Sequence, residues 1–167
     1  MVLLTGSGRF EPIRVVLAYM HIEKIQNIDR ELLKSFKERE YPQVDREHYG
    51  ETLPDFEKYE YTFVAKEEEN IIGYITIELE LGVALIRSLM VGHESQRRGV
   101  ATQLVEQAER EVKKLGAHKI WLQTGFEWSA QKLYTSLGYV ERCVLKNFYG
   151  HKDFMIFDKE LSSEQKK

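Results

Sequence analysis

Residues 85–101 read L-I-R-S-L-M-V-G-H-E-S-Q-R-R-G-V-A, and this stretch decides the fold. Its apolar first part predicts a strand that ends at Val91, and apolar residues three and four apart predict a helix that begins near Val100. The first amides of a helix lack backbone partners and carry partial positive charge, so a basic loop leading into a helix suits an anion. Gly99 lets the backbone approach a ligand closely, small Ala101 avoids crowding it, and a pyrophosphate would fit.

Two interpretations of the loop remain open at this level. Arg97 and Arg98 either add positive charge to an anion site or are solvated side chains in an ordinary turn. The chain contains neither G-x-x-x-x-G-K-[ST] nor G-x-G-x-x-G, so the usual nucleoside-triphosphate and dinucleotide loops are excluded.

Outward from this stretch, the pattern predicts an α/β (α+β) fold with a mixed, mostly antiparallel central sheet flanked by helices. Residues 61–65, 71–80 and 83–91 are three strands in a row, which favours an antiparallel meander. A helix from Val100 to Gly116, followed by a strand over 118–124, requires a parallel crossover and therefore a mixed sheet.

The remaining elements are predicted from the same periodicities. Residues 41–60 are expected to be mostly loop. We expect a first strand over 13–19, a helix over 24–40 that Pro42 stops, a short helix over 130–137, and strands over 139–145 and 153–157.

Size and composition limit the function classes. The chain has 167 residues, so residues 1–167 are expected to form a single domain. A net charge of −3, from 24 basic and 27 acidic side chains, argues against a nucleic-acid partner. No apolar run approaches the ~20 residues that span a bilayer, and no signal peptide is recognisable, so we expect a cytoplasmic protein without a membrane partner.

Cysteine and histidine usage gives no sign of a metal. The single cysteine, Cys143, excludes an internal disulfide and a cysteine-cluster zinc site. No pair of histidines has ligand spacing on one element, so no metal is expected. Cys143 is also not expected to act as a covalent nucleophile, because it falls in a strand predicted to be buried and no histidine is placed beside it.

Two blocks together resemble the GNAT superfamily of acetyl-coenzyme A-dependent N-acetyltransferases. Q-R-R-G-V-A, residues 96–101, is similar to the family's Q/R-x-x-G-x-G/A motif, and A-x-x-L-Y-x-x-x-G-Y, residues 130–139, is similar to its second signature. The resemblance covers roughly residues 60–161 and implies a GNAT-like sheet in which strand 83–91 and the strand at 119–123 splay apart to form a cofactor cleft.

The resemblance implies roles for individual residues. Gln96 would begin the loop, and Arg97, Arg98, Gly99, Val100, Ala101 and Thr102 would offer backbone amides to the pyrophosphate of acetyl-CoA, the co-substrate. The backbone of Leu89, Met90 and Val91 would pair with the pantetheine arm as an added strand. Tyr134 matches the tyrosine that protonates the departing thiolate, or it is simply a packing residue on an apolar helix face.

The general base is left open by the sequence. Gln123 stands where relatives often have glutamate or histidine, and glutamine has no useful protonation step near neutral pH. Glu78, on a strand with Thr76 and Glu80, is an alternative acceptor contact, although exposed carboxylates on an outer face are the simpler expectation. A water, or an amine that binds already neutral, would need no protein base.

On the acceptor side, N-F-Y-G-H-K-D-F-M, residues 147–155, resembles a stretch of peptide N-terminal acetyltransferases in which a tyrosine grips the peptide. Tyr149 is therefore a candidate acceptor contact, or part of an aromatic hairpin that packs on the sheet. Glu127 departs from the family's asparagine before the second helix, which removes one expected cofactor contact.

Two functions are weighed on this basis. The first is acetyl transfer from acetyl-CoA directly to a primary amine, whether a peptide N-terminal amine, a lysine or a small-molecule amine, with Tyr134 as general acid. The second is a non-catalytic acyl-CoA-binding sensor or regulatory module, suggested by Gln123 and Glu127. The sequence leaves a homodimer open.

Overall fold

The structure, a computed structural model, describes residue 22, residues 30–51 and residues 58–161. The chain divides into two compact units, Met1–Leu53 and Pro54–Lys167. The strand predicted over 13–19 and the start of the helix predicted over 24–40 lie outside the described residues.

In the first unit, helix α1 spans Arg30–Tyr49 and continues through Pro42, so the prediction that Pro42 stops the helix is wrong. A proline removes one N–H donor and disturbs the helix only locally, and side-chain pairs support the turns on both sides. Lys34 pairs with Glu38 at 3.7 Å, and Gln43 donates to Glu47 at 2.8 Å. The helix ends instead at Gly50, whose φ of 79° is left-handed.

The second unit is built on a six-stranded sheet with the order β1-β2-β3-β4-β6-β5. Of the described strand pairs, only β3–β4 is parallel, which confirms the mixed, mostly antiparallel sheet. The elements in chain order are β1 Tyr59–Glu67, β2 Asn70–Glu80, β3 Val83–Val91, α2 Val100–Lys114, β4 Lys119–Gly125, α3 Ala130–Ser136, β5 Val140–Leu145 and β6 Phe154–Glu160.

The core of this unit lies between the sheet and α2. Gly73 of β2 comes so close to α2 that an added Cβ would lie 3.2 Å from Val100 and 3.3 Å from Leu104. Alternation along the strands therefore places one set of apolar side chains against α2, on what we call the helical face. The largest fully buried side chains here are Ile75, Ile77, Ile120, Leu122 and Phe157 from the strands, with Val105 and Val112 from α2.

The sheet opens between β3 and β4. The parallel pairing covers only Val83–Ile86 against Lys119–Leu122, although both strands continue beyond it. The register of β3 against β2 shifts where Arg87 forms an extra residue, and such a bulge bends a strand. The ends of β3 and β4 thus splay apart and form a cleft, as expected.

Strand β5 differs from its prediction in burial. It is paired only with β6 in the described sheet and forms one of its edges, so Val140–Cys143 are exposed. Cys143 is therefore not in a buried strand, and that expectation is wrong.

Candidate functional site

A cavity of about 430 Å³ lies where the splayed end of β3 meets the start of α2. It opens on the helical face, between α2 and the first turn of α3. Most of the lining residues belong to the predicted site: Leu89, Val91, Ser95, Gln96, Arg97, Gly99, Val100, Ala101, Thr102, Ser129, Ala130 and Leu133.

The start of α2 presents free backbone donors to this cavity. Its first helical hydrogen bond runs from Gln103 N to Gly99 O at 3.1 Å, so the amides of Val100–Thr102 have no helical acceptor. Gly99 has a φ of 80°, a left-handed conformation that aims the chain into the helix. These amides and the positive end of the helix dipole suit a phosphate group.

The two arginines of the loop have different surroundings. Arg97 lines the cavity, whereas the Arg98 guanidinium forms an ion pair with Glu67 at the end of β1. That pairing raises the pKa of Arg98, so its charge is already engaged by a carboxylate. Of the two predicted arginine side chains, only Arg97 is placed to neutralise a ligand phosphate in the cavity.

The end of β3 contributes side chains to both faces of the sheet. Leu89 and Val91 pair across to Ile75 and Gly73, so they lie on the helical face and line the cavity. Met90 points to the opposite face, where its side chain is exposed. Beyond the last β3–β4 pair, this backbone edge is free of β4 and faces the cleft.

Tyr134 lies one residue beyond Leu133, which lines the cavity. Its side chain is 5% exposed, with its ring 5.5 Å from that of Tyr139 and 6.0 Å from that of Phe157. Burial raises the pKa of Tyr134 to about 12, because a tyrosinate would be poorly solvated there. The hydroxyl therefore keeps its proton at neutral pH.

The opposite face of the sheet brings two further predicted residues together. Gln123 Nε2 donates to the Tyr149 hydroxyl at 3.3 Å, although 26 residues separate them in the chain. Gln123 belongs to β4 just beyond its pairing with β3, so both groups lie at the mouth of the cleft.

Glu78 lies on this opposite face but is not the solvated carboxylate expected. Its side chain is 11% exposed and forms ion pairs with Lys58 at 2.7 Å and Arg87 at 2.9 Å. Glu80, two residues further along β2, is exposed as expected. The Glu78 carboxylate is thus engaged by two cations rather than free in the cleft.

Comparisons with known proteins agree with this geometry. The profile of the Acetyltransferase (GNAT) family matches residues 23–139. The chain belongs to this family. It is 27% identical over 100 residues to the [ribosomal protein bS18]-alanine N-acetyltransferase of Salmonella typhimurium, a match that covers 57% of this chain and 68% of the relative.

Solved acetyltransferases share the fold. An acetyltransferase from Bacillus cereus is 25% identical with a TM-score of 0.62, covering 84% of this chain and 99% of its own. A Bacillus anthracis protein described as a streptothricin acetyltransferase, solved with acetyl coenzyme A, is 21% identical with a TM-score of 0.56, covering 60% and 62%. The protein is thus an acetyl-CoA-dependent N-acetyltransferase.

The acetyltransferase cavity fits its donor substrate. Free amides at the start of α2 and Arg97 match a pyrophosphate, and the open edge of β3 matches an extended pantetheine chain. Within the described ranges, no group of three or more histidine, cysteine, aspartate or glutamate side chains could hold a metal ion. No described helix is long and apolar enough to cross a membrane.

Some cavity residues of the acetyltransferase escaped the sequence interpretation. Ser95 and Ser129 line the cavity but belong to no recognised motif, and Ala130 and Leu133 line it but were given no role in binding. A signal existed for the last two, because both belong to the A-x-x-L-Y block. The position of Ser95 depends on a short 3₁₀ turn, His93–Ser95, which sequence periodicity does not reveal.

Proposed function

We propose that this acetyltransferase moves the acetyl group from acetyl-CoA directly to a primary amine, with Tyr134 as general acid. The observation that carries the proposal is the position of Tyr134, which follows the cavity residue Leu133 and is buried and protonated. We also propose a cytoplasmic location and leave a homodimer open.

Donor binding is assigned to the start of α2 and the end of β3. The amides of Gly99, Val100, Ala101 and Thr102 and the Arg97 guanidinium would hold the pyrophosphate. The backbone of 89–91 would bind the pantetheine chain along the cleft, and a strand amide near Val91 would polarise the thioester carbonyl. Gln96, whose Nε2 lies 3.4 Å from Val91 O, would fix the loop to this strand end.

The chemistry is a balanced transfer between two held groups. The amine nitrogen attacks the thioester carbon, a C–N bond forms and the C–S bond breaks. The Tyr134 hydroxyl gives its proton to the sulfur as negative charge develops there, and the nitrogen releases a proton to solvent. The Tyr134 oxygen then takes up a proton from solvent, which restores the acid for the next turnover. Alignment of amine and thioester in the cleft supplies a large part of the rate by proximity.

Gln123 and Tyr149 would then bind the acceptor rather than act as a base. Their hydrogen bond at the cleft mouth leaves an amide and a hydroxyl available to an incoming amine or its water. Since Gln123 accepts no proton near neutral pH, the amine would enter neutral or lose its proton to water. Support for a peptide N-terminal amine comes from the relative named for acetylating an alanine of bS18.

A thiol-release assay with acetyl-CoA over a panel of peptides, lysine derivatives, polyamines and small amines tests the proposal. The expected result is free coenzyme A in proportion to an acetylated amine identified by mass spectrometry. Tight binding of acetyl-CoA without turnover of any amine would contradict it and favour a sensor.

A further inference from the structure

Four aromatic side chains form one continuous surface beside the cleft, which we call the aromatic patch: Trp128, Phe148, Tyr149 and Phe154. The ring centroids of Trp128 and Phe154 are 5.7 Å apart, those of Tyr149 and Phe154 5.3 Å, and those of Phe148 and Tyr149 4.4 Å. Each ring is thus in contact range of the next, in tilted or edge-on arrangements.

A glycine fixes the position of Trp128. A Cβ added to Gly125, the last residue of β4, would lie 2.1 Å from Cε2 and 2.3 Å from Cδ2 of the indole. The indole therefore lies directly on the strand backbone, in the space a side chain would take. Gly125 lies two residues after Gln123 on β4, so a side chain at Gly125 would point to the same face of the sheet as Gln123. The space that the indole fills is therefore on the face opposite α2.

The aromatic patch lies on the route by which we expect the acceptor amine to enter the cleft. The donor cavity opens on the helical face, so an amine can reach the thioester through the cleft from the opposite face. That route passes Gln123, Tyr149 and the rest of the patch. Trp128 is 57% exposed, and Tyr149 and Phe148 are exposed as well, so the rings are available to a ligand.

Two of the nearby carboxylates are already paired. Glu78 is held by Lys58 and Arg87, and Asp153 accepts from Lys146 at 2.7 Å and from the Asn147 amide at 2.9 Å. These groups offer little to a second cationic centre of an acceptor. Glu127, which is exposed beside Trp128, remains available to a cation, and the rings are left to bind the apolar group next to the amine.

We propose that the preferred acceptor is a primary amine with an aromatic group close to the nitrogen, and that the aromatic patch binds this group. The inference rests on the proposed acetyl transfer and names the chemical class of its acceptor. A small arylalkylamine and a peptide with an aromatic first residue present the same chemistry.

Two matched acceptor pairs test the inference: phenethylamine against ethylamine, and Phe-Gly-Gly against Gly-Gly-Gly. The aromatic member is expected to have at least about tenfold higher kcat/KM in one pair, and that pair identifies the source. Trp128→Ala should lower kcat/KM about tenfold for the aromatic member and change it much less for the other. Trp128→Phe, which keeps a ring, should retain most of the preference.

Gly125→Ala provides an independent variant, because its Cβ would displace the indole without removing it. It should reduce the same preference while acetyl-CoA affinity stays within about twofold. Equal use of both members in both pairs, or a preference that survives Trp128→Ala, would overturn the inference. If other amines are acetylated and aromatic ones are not, the inference fails while acetyl transfer stands; if no amine is acetylated, the transfer itself is contradicted.

Discussion

Tyr134 directly follows the cavity residue Leu133 in the chain and holds its proton tightly. Burial raises its pKa to about 12, well above the roughly 8.5 of a thiol, so transfer of its proton to the sulfur is uphill and must be coupled to departure of the thiolate. It can donate only as the carbon–sulfur bond breaks and charge accumulates on sulfur. The motif indicated the residue, but only the fold showed that it is buried.

The raised pKa of Tyr134 has a consequence for pH dependence. Because the folded-state value lies above the reference of about 10, the hydroxyl stays protonated as pH rises and is lost as an acid only near pH 12. We expect kcat at saturating substrates not to decline between pH 7 and 10. A falling limb centred below pH 10 that disappears in Tyr134→Phe would contradict this assignment.

Arg97 and Arg98 are neighbours with different expected effects. Arg97→Ala should raise the Kd of acetyl-CoA about tenfold, since it removes a charge that lines the cavity. Arg98→Ala is the matched control and should change the Kd less than about threefold, because that guanidinium is paired with Glu67. Isothermal titration gives both values, and equal losses would contradict the distinction.

For Glu78, the sequence predicted the face of the sheet but not the ion pairs of the carboxylate. Alternation placed it on the correct face of β2, but its pairing with Arg87 and Lys58 depends on which strand lies alongside and on the bulge in β3. Such contacts link residues far apart in the chain, and periodicity carries no information about them.

At the scale of elements, substitutions at the two ends of α2 distinguish an effect on ligand binding from an effect on stability. Gly99 and Gly116 flank the helix with φ values of 80° and 90°, and an added Cβ has no close neighbour at either position. Alanine at either site should cost about 1–2 kcal/mol of unfolding free energy, because both positions are left-handed.

Only Gly99 borders the donor cavity. We therefore expect Gly99→Ala to weaken acetyl-CoA binding at least about tenfold and Gly116→Ala to leave it nearly unchanged. Urea unfolding and titration with acetyl-CoA measure the two effects. Similar affinity losses in both variants would show that the loss comes from general destabilisation.

Element prediction succeeded where a pattern was strong and local. Strand β3 and the start of α2 were predicted at their observed bounds, because alternation, glycines and a long amphipathic stripe coincide there. It failed at Pro42, where a general rule gave the wrong helix end and Gly50 was overlooked. Exposure of Cys143 was missed because the sheet order that makes β5 an edge strand is a property of the whole fold.

At the scale of the whole molecule, the family match over residues 23–139 crosses the boundary between the two compact units. We propose on this basis that residues 1–167 form a single acetyltransferase domain. Calorimetry of the full chain should then show one unfolding transition whose van't Hoff and calorimetric enthalpies agree. Two separate transitions would contradict a single domain.

The weak net charge of −3 also takes on a more specific meaning. It conceals a local cationic site, in which we propose that the helix terminus and Arg97 bind the donor, while Arg98 is paired with Glu67. Overall charge argued against a nucleic-acid partner but could not have located this site, because the site depends on a few placed groups.

The most direct test is the kcat of Tyr134→Phe, measured by thiol release with saturating acetyl-CoA and an acetylated amine from the panel. The variant keeps the buried ring and removes only the hydroxyl, so the Kd of acetyl-CoA should stay within about threefold. Loss of a general acid predicts that kcat falls at least about 100-fold. An unchanged kcat would contradict proton donation by Tyr134 to the departing thiolate.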